Sequence, residues 1–325
     1  KEVSIYGQEY TNTTYKLAKM NLAIRGISGN LGEKAANTFL DDQHKDLKAD
    51  FIMANPPFNQ KDWRGENELI DDPRWRGYDV PPKSNANYGW ILNMVSKLSD
   101  NGVAGFILAN GALSGGGEEY KIRRKLIENH LVEAILVLPR NLFYTTDISV
   151  TLWIVNKNKR AQTKQIGDEI RQYRDRENEI LFMDLRQMGE PFEKKYTQFS
   201  ETDIRKIADT YHSWQSERSV ETRHATSLQQ TRHDLSVQTR HATSPGEYAN
   251  IPEYCYSATM DEIAKKDYSL VPSKYIEFVN RDENIDFDEK MQTLQNEFAD
   301  LLKAEAQSKN DLLTVFKELG YEIKL

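Results

Sequence analysis

The sequence predicts an open, doubly wound α/β domain with a mainly parallel sheet, followed by a helical C-terminal region. From residue 3 to about 157, short apolar runs alternate with longer stretches of helical period. After residue 290, apolar residues recur at three- and four-residue steps, which predicts one amphipathic helix. Because crossover connections deliver their loops to one edge of a parallel sheet, we expect the working residues at the carboxyl ends of the strands.

Each predicted strand is a short apolar run bounded by polar or turn-forming residues. The strands are placed at Ser4–Tyr6, Asp50–Ala54, Val103–Leu108, Leu131–Leu138 and Ser149–Val155. The helices between them are placed near Thr13–Arg25, Asn87–Leu98 and Tyr120–Glu128.

Composition sets limits on the class of protein. With 38% hydrophobic and 29% charged residues and no apolar run long enough to cross a bilayer, the chain is predicted to be soluble. The single cysteine, Cys255, excludes an intramolecular disulfide framework, so we expect a cytoplasmic protein. The net charge of -7 argues against a wholly basic nucleic-acid-binding surface but leaves room for a local basic cleft.

The chain is expected to have four parts: residues 1–160, a partial catalytic domain; 161–217, a charged segment; 218–250, a repeat; and 251–325, a helical tail for subunit packing. The repeat carries Thr222–Ser227 again as Thr239–Ser244, with histidines in each copy. Because almost no apolar residues accompany these histidines, we predict a low-complexity insertion and no metal site.

Three other features leave alternatives open. Residues 59–86 form a long polar loop of little periodicity, which predicts a functional or a disordered segment. Gly115–Gly117 could cradle phosphate or form a simple turn. The cations Lys121 and Arg123–Lys125 could contact phosphate or form a solvated helix face.

The most informative motif is Asn55-Pro56-Pro57-Phe58, directly after the apolar run Phe51–Ala54. An exocyclic aromatic amine is a poor nucleophile because its lone pair is delocalised into the ring. The Asn55 side-chain oxygen and the Pro56 carbonyl can each accept one amine hydrogen and draw the nitrogen toward tetrahedral geometry.

The other residues of the motif suit the same chemistry. Both prolines have a fixed φ and no N–H, so the turn is stiff and its carbonyls meet no competing donor. Phe58 offers a flat face for a base extruded from its duplex. The alternative is an ordinary Pro-Pro turn after a strand.

Residues 3 to 157 resemble the later two-thirds of the catalytic domain of gamma-type adenine-N6 methyltransferases. Asn55–Phe58 matches the catalytic motif of that family. The resemblance is strongest to the modification subunit of type I restriction systems, on the segments Ile5–Glu9, Leu17–Gly26, Leu47–Asp50, Leu138–Phe143, Tyr268–Leu270 and Pro272–Tyr275.

The resemblance implies S-adenosylmethionine as the cofactor. It implies that Glu9 binds the ribose hydroxyls and that Asp41, or equally Asp42, contacts the cofactor's adenine. Phe143 would be a second wall of the base pocket or, equally, an aromatic residue of the core at a strand edge. The implied partners are double-stranded DNA with a flipped adenine, a specificity subunit and a restriction subunit, with two modification subunits in each complex.

The sequence departs from the family pattern in lacking the glycine-rich cofactor loop, which belongs before residue 1. We therefore expect an N-terminally truncated chain, and two alternatives to an active DNA methyltransferase remain. One is an inactive remnant that serves only as an assembly partner, and the other is a methyltransferase of protein glutamine amides. The apolar stripe from Met291 to Leu319 would pack in a self-contained helical hairpin or bind a partner.

Overall fold

A computed structural model describes residues 3–144, 146–166, 169–216, 248–279 and 287–318 of the chain. The repeat predicted at residues 218–250 lies outside the described residues up to position 247. The chain divides between Glu277 and Phe278 into two compact units.

The described residues form twelve strands and six α-helices. The strands are β1 Ile5–Tyr6, β2 Gly29–Asn30, β3 Ala49–Ala54, β4 Leu98–Ala109, β5 Val132–Val137, β6 Val150–Asn156, β7 Gln162–Ile166, β8 Glu169–Tyr173, β9 Glu179–Asp184, β10 Glu190–Phe192, β11 Tyr196–Gln198 and β12 Cys255–Thr259. The helices are α1 Asn12–Ile24, α2 Asn87–Lys97, α3 Gly117–Glu128, α4 Glu201–Gln215, α5 Met260–Lys265 and α6 Phe287–Glu318.

Six strands form the central sheet, in the order β12-β9-β5-β6-β4-β3. Strands β3, β4, β5 and β9 run in one direction, while β6 and β12 run in the other. The predicted α/β class with a mainly parallel sheet is therefore confirmed. The prediction that every strand ends at one edge is wrong for β6, because its carboxyl end lies at the opposite edge.

The short strand β1 lies outside the central sheet and pairs in parallel with β2. Helix α1, which joins these two strands, begins where the Thr11 side chain accepts a hydrogen bond from the Thr14 amide. The buried Tyr15 donates its hydroxyl to the carbonyls of Gly32 and Glu33. These contacts attach the helix to the segment that follows β2.

Strand β5 shows how the sheet is buried on both faces. All six of its residues are buried. Val132 and Ile135 belong to one hydrophobic cluster, which also contains residues of α2 and α3, and Ala134 and Leu136 belong to a second cluster, which contains Trp214 of α4. A strand covered by layers on both sides appears in sequence as a continuous apolar run.

The long segment between β3 and α2 is packed against the first of these clusters. Trp63 and Trp75 are 4% and 2% exposed, and Trp75 ends a short 3-10 helix, Pro73–Trp75. Their indole N–H groups donate to the carbonyls of Pro82 and Leu69 at 2.9 and 2.6 Å. Of the two alternatives predicted for residues 59–86, a disordered segment is wrong, because both indoles are anchored in the core.

Three of the four cations of α3, namely Lys121, Arg124 and Lys125, lie on an exposed helix face, as one of the two alternatives predicts, whereas Arg123 does not. Arg123 is buried and donates to the carbonyls of Tyr268 and Gly115, while Arg124 pairs with Glu128 on the helix surface. Gly117 has a φ of +62°, which fits a turn before the helix. Arg123 therefore joins the helix to the chain after α5 and is not available to phosphate.

Helix α6 in the second unit is one continuous helix of 32 residues, so the self-contained hairpin is wrong for the described residues. None of its residues is buried within the described chain. Its apolar residues follow alternating steps of four and three, at Phe287, Met291, Leu294, Phe298 and Leu301. This spacing is typical of a helix that packs along one seam.

The described helices include none with the length and apolar character that a membrane span requires. Within the same residues, His, Cys, Asp and Glu side chains form no group of three or more that could hold a metal ion. Cys255 is buried at the start of β12.

A buried ionic cluster lies between β5, β6 and β9. Arg176 and Glu133 form an ion pair at 3.1 Å and are 1% and 0% exposed in their side chains. Lys159 is 1% exposed and donates to the carbonyls of Val132 and Glu179. Burial lowers the pKa of Lys159 from 10.5 to about 8, although the Glu133 carboxylate opposes the change.

The cluster predicts a pH-dependent stability. Below about pH 8 Lys159 is protonated in both states, whereas between pH 8 and 10.5 the unfolded chain retains a proton that the folded protein has released. The free energy of unfolding should therefore rise with pH in this window, by up to about 1.4 kcal/mol per pH unit, relative to Lys159→Met. Urea denaturation of both proteins from pH 7 to 10.5 measures this difference, and parallel curves would contradict it.

Candidate active site

The Asn55–Phe58 turn lies at the carboxyl end of β3, on the edge of the central sheet. Ala54, the last residue of β3, pairs with Phe106 of β4. Asn55 and Pro57 are exposed, Pro56 is buried and Phe58 is half-buried. The turn is therefore anchored through Pro56, while the Asn55 amide is open to a ligand.

Both aromatic residues predicted for the base pocket pack against the same hydrophobic cluster. This second cluster includes Leu138 and Val150, at the end of β5 and the beginning of β6. Phe58 and Phe143 are partly buried and pack against it. Because β6 runs antiparallel to β5, the chain containing Phe143 joins the two at the same edge as the Asn55 turn.

The chain after the turn is held by α2. Asn59 has a φ of +52°, and its amide donates to Asn87 Oδ1 at 3.0 Å. Asn87 Nδ2 donates in return to Asn59 Oδ1 at 2.9 Å. Asn87 was not predicted from the sequence as a site residue, although a polar residue at the start of an apolar helix is a signal for one.

Gln8 joins the two segments that carry the predicted cofactor residues Glu9 and Asp41. The Gln8 side-chain amide donates to the carbonyls of Ala36 and Asp41, at 3.2 and 2.8 Å. The Glu9 carbonyl accepts a hydrogen bond from the Ala36 amide at 2.8 Å. These bonds link the end of β1 to the loop before β3.

The structure distinguishes Asp41 from Asp42. Asp42 is bound by Lys97 Nζ at 2.7 Å, and the two side chains are only 11% and 12% exposed. The side chain of Asp41 is 50% exposed and pairs with a largely exposed lysine, Lys34. A ligand can therefore reach the Asp41 carboxylate, whereas Asp42 is engaged in joining its loop to α2.

Arg74 holds the backbone that precedes these two acids. Its guanidinium donates to the carbonyls of Thr38 and Phe39 at 2.8 and 2.5 Å and forms a two-point ion pair with Asp72. Burial opposes ionisation of Asp72, but the hydrogen bonds from Arg74 prevail and lower the pKa of its carboxyl. The Asp41 loop is thus attached to the packed segment that contains Trp75.

Two surface cavities of about 540 and 290 Å³ lie away from these residues. They are lined mainly by residues of β8, by α4 and by the chain next to β12, with Tyr173, His212 and Asp209 in the larger one and Arg174, Tyr248 and Ser257 in the smaller one. The Asn55 turn borders neither cavity and lies on the open edge of the sheet.

Comparison with known proteins supports one family. Residues 1–284 match the family model of the N-6 DNA methylases. The chain is 39% identical over 326 aligned positions to the methylase subunit of the type I restriction enzyme HindI of Haemophilus influenzae, covering 98% of this chain and 62% of that protein. It is 32% identical to the MjaIX methylase subunit of Methanocaldococcus jannaschii, covering 98% of this chain and 51% of that protein.

A solved structure shows the same fold. The methyltransferase subunit of a type I restriction-modification system from Streptococcus thermophilus superimposes with a TM-score of 0.64 at 24% identity, over 84% of this chain and 48% of that one. The chain thus spans about half to two-thirds of the length of the relatives that it matches. With a family model that covers most of its residues, the chain belongs to the N-6 DNA methylase family.

Proposed function

We propose that the protein transfers the methyl group of S-adenosylmethionine to N6 of adenine in DNA, as the modification subunit of a type I restriction-modification complex. The observation that carries the proposal is the accessible Asn55 amide in a stiff turn at the carboxyl end of β3. The relatives that align over 98% of the chain are methylase subunits of type I restriction enzymes, which favours DNA over a protein amide as the substrate.

The chain's own groups account for activation of the nucleophile. Asn55 Oδ1 accepts one hydrogen of the adenine amino group, and the carbonyl of Pro56 accepts the other. These two hydrogen bonds localise the nitrogen lone pair. The lone pair attacks the methyl carbon while the bond between that carbon and sulfur breaks. The nitrogen then releases one proton to solvent, and Phe58 stacks on the base throughout.

Residues present in the chain fit the ribose and adenine parts of S-adenosylmethionine, which when bound supplies an electrophilic methyl group on a sulfonium. Glu9 follows β1, and the half-exposed Asp41 lies on the adjoining loop. Carboxylates at such strand ends accept hydrogen bonds from ribose hydroxyls and amino groups. In this proposal Glu9 binds the ribose, and Asp41 rather than Asp42 binds the adenine.

The proposal includes subunit packing through α6. Its apolar seam is exposed along the described helix, and a seam of this kind is stabilised by packing against another helix. We assign that surface to the specificity subunit, which would supply DNA recognition. A restriction subunit and a second modification subunit complete the proposed complex.

The first prediction concerns Asn55. Because Asn55→Ala removes an acceptor that is used in the transition state, it should reduce adenine methylation by at least about 100-fold while the melting temperature is retained. Transfer of tritiated methyl groups to DNA by the full-length protein measures the rate. The control is Asn101→Ala, at an exposed asparagine near the start of β4, which should leave the rate unchanged. Wild-type activity in Asn55→Ala would remove this residue from the mechanism.

The second prediction separates the two neighbouring acids. Asp41→Ala should weaken binding of S-adenosylmethionine by about tenfold or more, as expected when a hydrogen bond to a charged group is lost. Asp42→Ala should instead lower the melting temperature, because it removes the carboxylate that pairs with the partly buried Lys97 and leaves that charge only the His44 carbonyl. Isothermal calorimetry and thermal unfolding of both variants test this assignment.

Calorimetric titration with S-adenosylmethionine also distinguishes an active enzyme from an inactive remnant. Saturable cofactor binding by the wild-type protein would count against the remnant, whereas no binding would support it. Weakened binding in Asp42→Ala but not in Asp41→Ala would reverse the assignment of the adenine contact.

The third prediction concerns α6. Phe298→Asp should abolish co-purification with the specificity subunit, since it places a charge in the centre of the apolar seam. Asn296→Asp, on the opposite face of the same helix, adds the same charge and should leave the complex intact. Analytical ultracentrifugation of the mixed subunits provides the measurement, and equal behaviour of the two variants would argue against this seam as the interface.

A further inference from the structure

The catalytic turn ends on a residue with an unusual backbone conformation. Asn59, directly after Phe58, has a φ of +52°, in the left-handed region. Asparagine tolerates this region better than most residues with a side chain. This left-handed residue lies immediately beyond the four residues assigned to catalysis.

Asn59 and Asn87 form a reciprocal pair of hydrogen bonds, which we call the amide lock. Asn87 accepts from the Asn59 backbone at 3.0 Å and donates to the Asn59 side chain at 2.9 Å. Asn87 is 0% exposed, so both bonds are partly shielded from water. A second bond to the Asn59 side chain, from Asn85 at 3.3 Å, and one from the Ala86 amide to the Gln60 carbonyl at 2.9 Å extend the contact.

The Asn87 side of the lock is fixed by the core. Asn87 is the first residue of α2, and the residues that follow it include the fully buried Tyr88, Ile91 and Leu92. The Tyr88 hydroxyl donates to the carbonyl of Ala112 at 2.7 Å. Movement of Asn87 would thus require repacking of the helix against the sheet.

We propose that Asn87 and Asn59 are positioning residues for methyl transfer, an inference that rests on the proposed function. Strand β3 fixes one end of the Asn55–Phe58 turn, and the amide lock fixes the other. Between these ends Pro56 and Pro57 have fixed φ angles, so few backbone torsions remain soft. The Asn55 amide and the Pro56 carbonyl are thereby held in the relative orientation that the amino group requires.

The competing explanation is an ordinary contact between a loop and a helix that contributes only to folding. The two explanations predict different kinetics. A positioning role affects the rate of the chemical step after cofactor and DNA are bound, because small displacements of reacting groups are costly. A purely structural role lowers the melting temperature and leaves the rate of the folded protein unchanged.

The experiment uses single-turnover methylation by the full-length protein at saturating cofactor and DNA. Asn59→Gly keeps the left-handed backbone and removes the side-chain acceptor, and Asn87→Ala removes both bonds. Each variant should slow methyl transfer by on the order of 10- to 100-fold, with dissociation constants for S-adenosylmethionine and duplex DNA largely retained. The Asn59→Gly/Asn87→Ala double variant should be no slower than Asn87→Ala, because both substitutions disrupt the same contact, the amide lock.

Two further variants serve as matched controls. Asp62 has the same left-handed backbone in the same loop, with a φ of 49°. Asp62→Gly therefore adds the same backbone freedom as Asn59→Gly and should leave the rate unchanged. Asn59→Asp keeps an acceptor for Asn87 and should retain the wild-type rate at saturating DNA.

The outcomes separate the lock from the function on which it rests. If wild-type protein methylates DNA and Asn59→Gly does so at the same rate, the lock is overturned while the proposed function stands. Additive losses in the double variant, or equal losses in Asn59→Gly and Asp62→Gly, also overturn it. If wild-type protein transfers no methyl group to adenine, the proposed function fails and the lock fails with it. Asn59→Gly decides the question if Asn87→Ala does not fold.

Discussion

The parallel pairing of β3 with β4 is the constraint on which the site depends. This register places Ala54 opposite Phe106 and so determines where the Asn-Pro-Pro-Phe turn leaves the sheet. A shift by one residue would exchange the two faces of the strand and redirect the turn. Helix α2 meets the same edge through Asn87, so the sheet and the helix contact the two ends of the Asn55–Phe58 segment.

Much of the central sheet could be predicted from the sequence because its strands are uniformly apolar. The predicted segments at Asp50–Ala54, Leu131–Leu138 and Ser149–Val155 agree with β3, β5 and β6 to within about two residues. The direction of β6 could not be predicted, since a run buried on both faces looks the same in either orientation. Strands β7, β8, β10 and β11 were missed because they form short polar hairpins with little hydrophobic periodicity. Strand β9 was missed because its buried apolar run, Ile180–Met183, lies within an otherwise charged segment.

In the candidate site, residues that act within one short motif could be predicted, whereas residues whose role depends on distant parts of the sequence could not. Asn55–Phe58 could be identified because its chemistry is contained in four consecutive residues after a strand. The choice between Asp41 and Asp42 could not be made, because it depends on Lys97, which is far away in the sequence. The same holds for Asn87 and for the burial of Arg123, which are determined by contacts with residues 28 and 145 positions away.

The packed segment that holds Trp63 and Trp75 has a consequence for dynamics. Burying an indole of roughly 200 Å² stabilises a segment by about 5 kcal/mol, so exposing both would cost on the order of 10 kcal/mol. The segment between β3 and α2 is therefore a fixed part of the fold and not a mobile flap.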